Sequence, residues 1–403
     1  MNRKEIEIMT EKLKKLNKGS AGERIETLEK LLKNEKEKPP IFPQYVNNHI
    51  HTNFSFSPYS PTAAVYFARK AGLQTAGLMD HDSIAGAYEF IKAGEIAGMA
   101  TTIGLECRVS LKGTALEGRR VNNPDQISCA YMALHGLPHT QIEYLQSVFA
   151  PLREKRNHRN IKMLKNINEL LAPKGLALDF EKDVLPLSNF KLGGSVTERH
   201  LLFALAKKIE AKLGKNKIAH FLQNELSLSL NPKQIEDLKD INHPFYSYKL
   251  LGVLKADLVE KFYLDADEEL LHISDLAQLA KETGAIFCYA YLGDVFESVT
   301  GDKKAQKFED DYLDLLFDVL KAQGVKAVTY MPSRNTAAQL KRLQEMCRNR
   351  GFMEISGEDI NSPGQSFICE QLAQPQFSHL VKATWQLIKH EKEETLRQLN
   401  AIN

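Results

Sequence analysis

From Tyr45 onward the chain alternates short apolar runs with helical stretches, and this rhythm limits its fold more than any other feature of the sequence. Strands separated by helices build a largely parallel sheet, because a parallel neighbour cannot be reached through a tight turn. Val46 to His51 reads as the first strand. Ser60-Pro61 supplies an N-cap and a proline at the first helical position, and Gly72 closes that helix. Leu73 to Met79 is the second strand, Ser83 to Gly98 a helix and Ala100 to Leu105 the third strand. The rhythm returns late in the chain with strands over Ala285 to Tyr291, Lys326 to Met331 and Phe352 to Ser356, helices over Phe308 to Ala322 and Thr336 to Arg350, and a final amphipathic helix holding Leu380, Trp385 and Leu387.

Two regions break the pattern. In residues 1–44, Ile6, Met9, Leu13 and Leu16, then Ile25, Leu28, Leu31 and Leu32, recur at helical spacing, with a capping box at Ser20 and Glu23 and a stop at Pro39-Pro40. This reads as a helical extension with a solvated charged face. Residues 138–250 are helical in pattern and carry a charged run from Arg153 to Arg159, which marks a helical insertion. It divides a barrel into residues 45–137 and 251–403, the latter including the C-terminal helix.

At 403 residues the chain can bury a full core without staples. Cys107, Cys129, Cys288, Cys347 and Cys369 are widely spaced and fit buried apolar positions better than a disulfide framework or a thiolate zinc site. No apolar run reaches 18 residues, and the charged N-terminal stretch lacks a secretory pattern, so a cytoplasmic protein without a membrane span is expected. With 53 basic and 51 acidic side chains the net charge is +2, which supplies no field for holding nucleic acid.

The chemistry concentrates at three successive strand ends. His49-Ile50-His51 places two imidazoles on one side of a strand, a spacing that can grip one metal ion. In a chain with 12 His, about 0.4 such pairs arise by chance, so the pair alone is weak. Its company strengthens it: Asp80-His81-Asp82 follows the next strand and Gly104-Leu105-Glu106 the one after. Mixed imidazole and carboxylate donors suit Zn, Mn or Fe rather than Ca. Working residues in barrels and open α/β sheets gather at the carboxyl ends of parallel strands.

These motifs resemble those of the polymerase and histidinol phosphatase (PHP) domain family. Asn48-His49-Ile50-His51-Thr52 is similar to its His-x-His-Thr opening, Met79-Asp80-His81-Asp82-Ser83 to its Thr-Asp-His-Asp motif and Gly104-Leu105-Glu106 to its Gly-x-Glu motif. Ala290-Tyr291 falls where the family has Ala-His-Pro, and Gly357-Glu358-Asp359-Ile360-Asn361 where it has Gly-Ser-Asp-x-His. The resemblance covers roughly residues 45 to 365. It implies a distorted (β/α)7 TIM-like barrel with up to three metal ions at the strand ends.

Carried over residue by residue, the first metal set is complete in His49, His51, Glu106 and Asp359. The second set has Tyr131 and Tyr291 where the family has histidines, with His135 as a substitute four residues along. The third retains His81 but has Phe56 and Asn361 at its other positions. The resemblance therefore implies one divalent ion, with three as the full family complement, and a phosphoesterase acting on a small phosphorylated metabolite or nucleotide through a metal-activated water.

Asp80 and His81 are the candidates for acid–base work, although Asp80 and Asp82 can equally orient His81, and Asp82 better fits that supporting role. Arg334 is the best-placed anion-binding cation, with a structural hydrogen-bonding role as its alternative; Arg119-Arg120 and Lys303-Lys304 fit a solvated surface. Tyr291 and Asn361 join Arg334 as candidate substrate contacts, Tyr131 and Tyr291 being as well suited to packing. Two readings compete with the enzyme: a non-catalytic metal- or phospholigand-binding module on a degenerate barrel, and, with little support, a nucleic-acid-binding protein with a helical arm.

Overall fold

The computed structural model of the chain describes residues 3–295 and 306–402. The Thr300-Gly301-Asp302 and Lys303-Lys304 stretch considered above lies outside the described residues.

Two amphipathic helices, α1 (Arg3–Leu16) and α2 (Ala21–Lys33), open the chain, and the Ser20–Glu23 capping box forms as the sequence predicts. Their buried stripe, Leu13, Leu16 and Leu28, joins the main hydrophobic core. The barrel then begins with β1 (Val46–Ile50), α3 (Pro61–Lys70), β2 (Thr75–His81), α4 (Ala87–Ala97), β3 (Ala100–Ser110) and β4 (Cys129–His135). After the helical region come the short β5 (Leu271–His272), α10 (Ile273–Thr283), β6 (Ile286–Ala290), α11 (Leu313–Ala322), β7 (Ala327–Tyr330), α12 (Ala337–Arg350), β8 (Met353–Ser356) and α13 (Ser378–Ile402). Between the two halves lie α5 (Ile142–Leu171), α6 (Glu198–Leu213), the single turn α7 (Ile218–His220), α8 (Pro232–Lys239) and α9 (Tyr246–Phe262).

Seven strands follow the order β1-β2-β3-β4-β6-β7-β8, with β5 off this path beside β3. The sheet is nearly closed. His51 N donates to Ile360 O at 3.0 Å and Ile360 N to His49 O at 3.1 Å, linking β1 to the segment after β8. Gly357 permits this approach, because a Cβ there would stand 2.6 Å from the His49 Cβ. The result is the distorted (β/α)7-type barrel expected, with helices around it and a helical insertion. Met79, Ala133, Cys288, Ala327 and Ile355 fill its interior, and Leu387 of α13 packs with them.

Three details depart from the sequence reading. β4 runs antiparallel to both β3 and β6, so the sheet is not uniformly parallel. β3 continues four residues past Glu106, because β4 pairs with it along this length and β5 takes over at Val109–Ser110 where β2 has ended. Glu106 is therefore a mid-strand residue. Finally, α9 runs straight through position 250, where the sequence pattern places the insertion's end; Leu250, Leu251, Val253, Leu254, Leu258 and Phe262 form one continuous buried face on a second core.

That second core belongs to the helical region, and a buried ionic network ties it to the barrel. Arg156 Nη2 meets Glu198 at 3.0 Å, Arg159 Nη2 meets Glu198 at 2.7 Å, and Arg156 Nη1 pairs with Asp82. Glu269 receives Arg159 Nε at 2.5 Å and Arg108 Nη2 at 3.4 Å. Three guanidinium groups thus meet three carboxylates, so the desolvated charges balance.

Candidate metal centre

Where the parallel pairing of β2 with β3 ends, His81 of β2 and Glu106 of β3 meet His49 and His51 from β1 and its end, while Asp359 arrives on the segment after β8. Among the described residues, His49, His51 and Glu106 form one group whose donor atoms all lie within 4.8 Å of one another. Glu106 Oε1 stands 3.4 Å from His49 Nε2, 3.2 Å from His51 Nε2 and 3.2 Å from His81 Nδ1. Asp359 Oδ1 is 3.2 Å from His51 Nε2. Donors held about 2.1 Å from one ion in a tetrahedral array stand about 3.4 Å apart, so these separations fit a small divalent cation.

The electrostatics agree. Burial alone would push His51 down, but the carboxylates of Asp359 and Glu106 hold it up at about 10. Burial likewise favours the neutral acid at Glu106 and Asp359, and the surrounding imidazoles more than offset it, keeping both well below the usual carboxylate range. The cluster concentrates negative charge around a positive centre, which a divalent ion would supply in place of a proton. His81 differs: burial drives it down to about 4 against the pull of Glu106, and its ring stacks on His51 with centroids 4.7 Å apart.

Asp80, a candidate acid–base residue, does not face this centre. Alternation along β2 turns Met79 and His81 inward and Asp80 the other way. Its Oδ1 accepts from Thr52 N at 2.7 Å and Ser55 Oγ at 2.6 Å, and its Oδ2 from Thr52 Oγ1 at 2.5 Å. Burial raises its pKa, partly countered by His51 and these hydrogen bonds. Ser55 Oγ also lies 3.3 Å from His51 Nδ1. Since the Ser55 proton goes to Asp80, the imidazole donates from Nδ1 and leaves Nε2 for a metal.

The candidate substrate contacts divide. Arg334, Tyr291 and Asn361 all line a cavity of about 190 Å³ with His49, His81, Glu106 and Asp359 on its wall. The Tyr291 hydroxyl, however, donates to Asp310 Oδ1 at 2.6 Å, so the ring lines the cavity while the polar end is committed elsewhere. Asn361 Nδ2 donates to Asp359 Oδ1 at 2.7 Å, which makes it a support for that carboxylate. His135 cannot take the place of a missing ligand. Because β4 runs antiparallel, four residues beyond Tyr131 carry the chain about 13 Å away from the mouth. There His135 lies buried beside Gly104, and burial holds it neutral with a pKa of about 3. Phe56 belongs to the second core and meets His200 edge-on at 4.9 Å.

The sequence reading missed Arg199, Lys255, Asn122 and Asp125, which line the same cavity. Arg199 and Lys255 come from α6 and α9, where ordinary amphipathic patterns gave no sign that helices so far along the chain would cover the barrel mouth. Asn122 Oδ1 accepts from Tyr131 N at 2.8 Å and its Nδ2 donates to Tyr131 O at 2.7 Å, fixing the end of β4.

A nearly closed seven-stranded barrel with imidazole and carboxylate donors gathered at one mouth is a TIM-like barrel with a candidate metal centre. The chain belongs to the PHP domain family, whose sequence profile matches residues 47–324. Among solved structures it is similar to a Bifidobacterium adolescentis protein assigned as a metal-dependent phosphoesterase, with TM-score 0.53 and 18% identity over 83% of this chain and 95% of that one. It is also similar to an amidohydrolase from Chromobacterium violaceum, whose structure holds sulfate and no metal, with TM-score 0.52 and 15% identity over 84% and 96% of the two chains. No curated protein matches the chain. At these identities the structural likeness bears on the fold.

Proposed function

We propose that the protein is a metal-dependent phosphoesterase that hydrolyses a small phosphorylated metabolite or nucleotide. The observation that carries this reading is the group formed by His49, His51 and Glu106, whose donor atoms lie within 4.8 Å of one another, with Asp359 3.2 Å from His51, beside a cavity that His49, Glu106, Asp359 and Arg334 line. A bound Mn, Zn or Fe ion would polarise a phosphoryl oxygen and lower the pKa of its water.

The chain's own residues supply the rest. Asp80 and Ser55 hold His51 in the tautomer that leaves Nε2 available, so Asp80 is a positioning residue. Asn361 holds Asp359. His81, neutral near pH 7, directs Nδ1 at Glu106; with the proton on Nδ1 its Nε2 is a proton acceptor at the cavity wall. Arg334 faces the phosphoryl group as a fixed cation.

The test is phosphate release from a panel of phosphorylated metabolites and nucleotides with added Mn, Zn or Fe. Turnover that disappears in His49→Ala together with the bound metal is expected. The second reading, a binding module on a degenerate barrel, draws on Phe56, which has been absorbed into an apolar core. Tight binding of a phosphorylated ligand without turnover, unchanged in His49→Ala, would favour it.

A further inference from the structure

We infer that the leaving group of the ester occupies a second compartment of this site, walled largely by the helical insertion, and that this compartment selects a small apolar group, a short alkyl chain or a single ring, over a sugar or a nucleoside. The inference rests on the phosphoesterase reading and narrows its substrate to a phosphorylated metabolite whose alcohol is apolar.

Besides the metal-lined cavity there is another, of about 90 Å³, under α6 and α9. The two share His81, Tyr131, Arg199 and Asn361, so they adjoin. What they do not share gives the cleft a direction: His49, Glu106 and Asp359 line the first and not the second. A phosphoryl group held at those donors points its ester oxygen to the junction beside His81 and Asn361, and the group that oxygen carries enters the second compartment. On hydrolysis the water oxygen bonds to phosphorus and the ester P–O bond breaks with its electron pair on the leaving oxygen. One proton of the water passes to that oxygen, and the alcohol is left in the second compartment.

The polar wall of this compartment is already engaged. Arg156 Nη2 meets Glu198 at 3.0 Å and its Nη1 pairs with Asp82; the Tyr263 hydroxyl accepts from Arg108 Nη1 at 3.2 Å; Thr197 Oγ1 lies 3.2 Å from His200 Nδ1. Asn361 Nδ2 donates to Asp359, Arg199 Nη1 reaches Ser362 Oγ at 3.5 Å, and Asp125 and Lys255 have partners as well. A ligand rich in hydroxyls would give up its water there for groups that are already bonded, which costs more than it returns. The rest of the wall is apolar: Phe56, Leu202 and Val259, with the rings of Tyr131 and Tyr263. Phe56 stands where the family resemblance expects a metal donor, and here it is a wall of the second core.

Size sets the other limit. An apolar cavity of about 150 Å³ admits a benzene molecule. About 90 Å³, extended by the shared junction, therefore has room for a short chain or one ring, and a nucleoside with its base and sugar exceeds it.

The test is calorimetric titration of two phosphonates, which resist hydrolysis, into the full chain loaded with Mn: butylphosphonate and its dihydroxylated counterpart. The butyl compound should bind about tenfold to a hundredfold more tightly, the discrimination an apolar pocket exerts against added hydroxyls. Val259→Asn, which puts an amide into the compartment, should cut that preference about tenfold with metal content unchanged. Leu213→Ala, on α6 and packed on the same core but lining neither cavity, should keep it. Equal affinity for the two phosphonates, tighter binding of the dihydroxylated one, or an equal loss in Leu213→Ala overturns the inference. Should Val259→Asn fail to fold, the parent's choice between the two phosphonates decides alone. A preference for butylphosphonate in a protein that hydrolyses no ester, butyl phosphate included, would sink the phosphoesterase reading and leave an apolar ligand compartment standing. Hydrolysis of glycerol phosphate and nucleotides as fast as butyl phosphate would do the reverse.

Discussion

Asp80 receives three hydrogen bonds while buried on the far side of the strand from the centre it was expected to serve. A carboxylate so engaged has little freedom to exchange protons with a substrate, but it sets the direction of the Ser55 hydroxyl and, through it, the His51 tautomer. Asp80→Asn should therefore weaken metal binding about 10- to 100-fold, the usual cost of losing a partner that orients a ligand, as measured by competition with a chelator. His49→Ala or Asp359→Ala should remove the metal, while His81→Ala should leave most of it. Equal metal loss in all three would mean that His81 belongs to the same ligand set. Both imidazoles of the His-x-His pair and Glu106, which the structure groups, were legible in the sequence because their spacing at successive strand ends is local, whereas Asp359 came only from the family resemblance. The commitments of Tyr291 to Asp310 and of Asn361 to Asp359 were not legible, since both depend on backbone turns the sequence reading could not place.

At the scale of elements, the segment between β6 and α11 carries a buried carboxylate with a pH consequence. Glu309 accepts from Leu292 N at 2.9 Å and Gly293 N at 3.3 Å, yet burial outweighs these bonds and raises its pKa to about 7 from an ordinary 4.5. The folded chain thus holds a proton that the unfolded chain has released. This contribution to stability is full below pH 4.5 and falls away as pH rises to 7, by about 3 kcal/mol. Urea unfolding at pH 5 and pH 8 should show that loss in the parent and a flatter dependence in Glu309→Gln; parallel curves would count against it. The ionic network between α5, α6 and the barrel yields another expectation. Glu198→Gln leaves the buried guanidinium groups of Arg156 and Arg159 short of a partner and should cost about 3–5 kcal/mol, read from the urea midpoint.

For the molecule as a whole, the N-terminal helices are part of the folded core. Arg24 Nε donates to Glu89 Oε1 at 2.8 Å and Nη2 reaches Oε2 at 2.5 Å, both side chains buried, while Glu89 Oε1 also accepts from Thr62 Oγ1 at 2.7 Å. Arg24→Ala strands that carboxylate and should destabilise the chain by about 3–5 kcal/mol, with a lowered melting temperature as the readout. A shift no larger than that of an exposed control such as Lys30→Ala would show that the extension is energetically separate. Among the described residues, no helix is long and apolar enough to cross a membrane.

The β-α rhythm, the capping boxes and proline starts, the buried stripe of the first two helices and the grouping of His49, His51 and Glu106 at strand ends follow from the sequence by itself, because hydrophobic period, caps and motif spacing act over a few residues; Asp359 enters only through the family resemblance. The tertiary structure alone decided the direction of β4, and with it the exile of His135; the passage of β3 beyond Glu106; and the arrival of Arg199 and Lys255 over the mouth. Each depends on pairing or packing between segments distant in the chain. A neighbouring strand sets the direction in which a sequence offset is measured, and a second core places helices whose local pattern says only that one face is apolar.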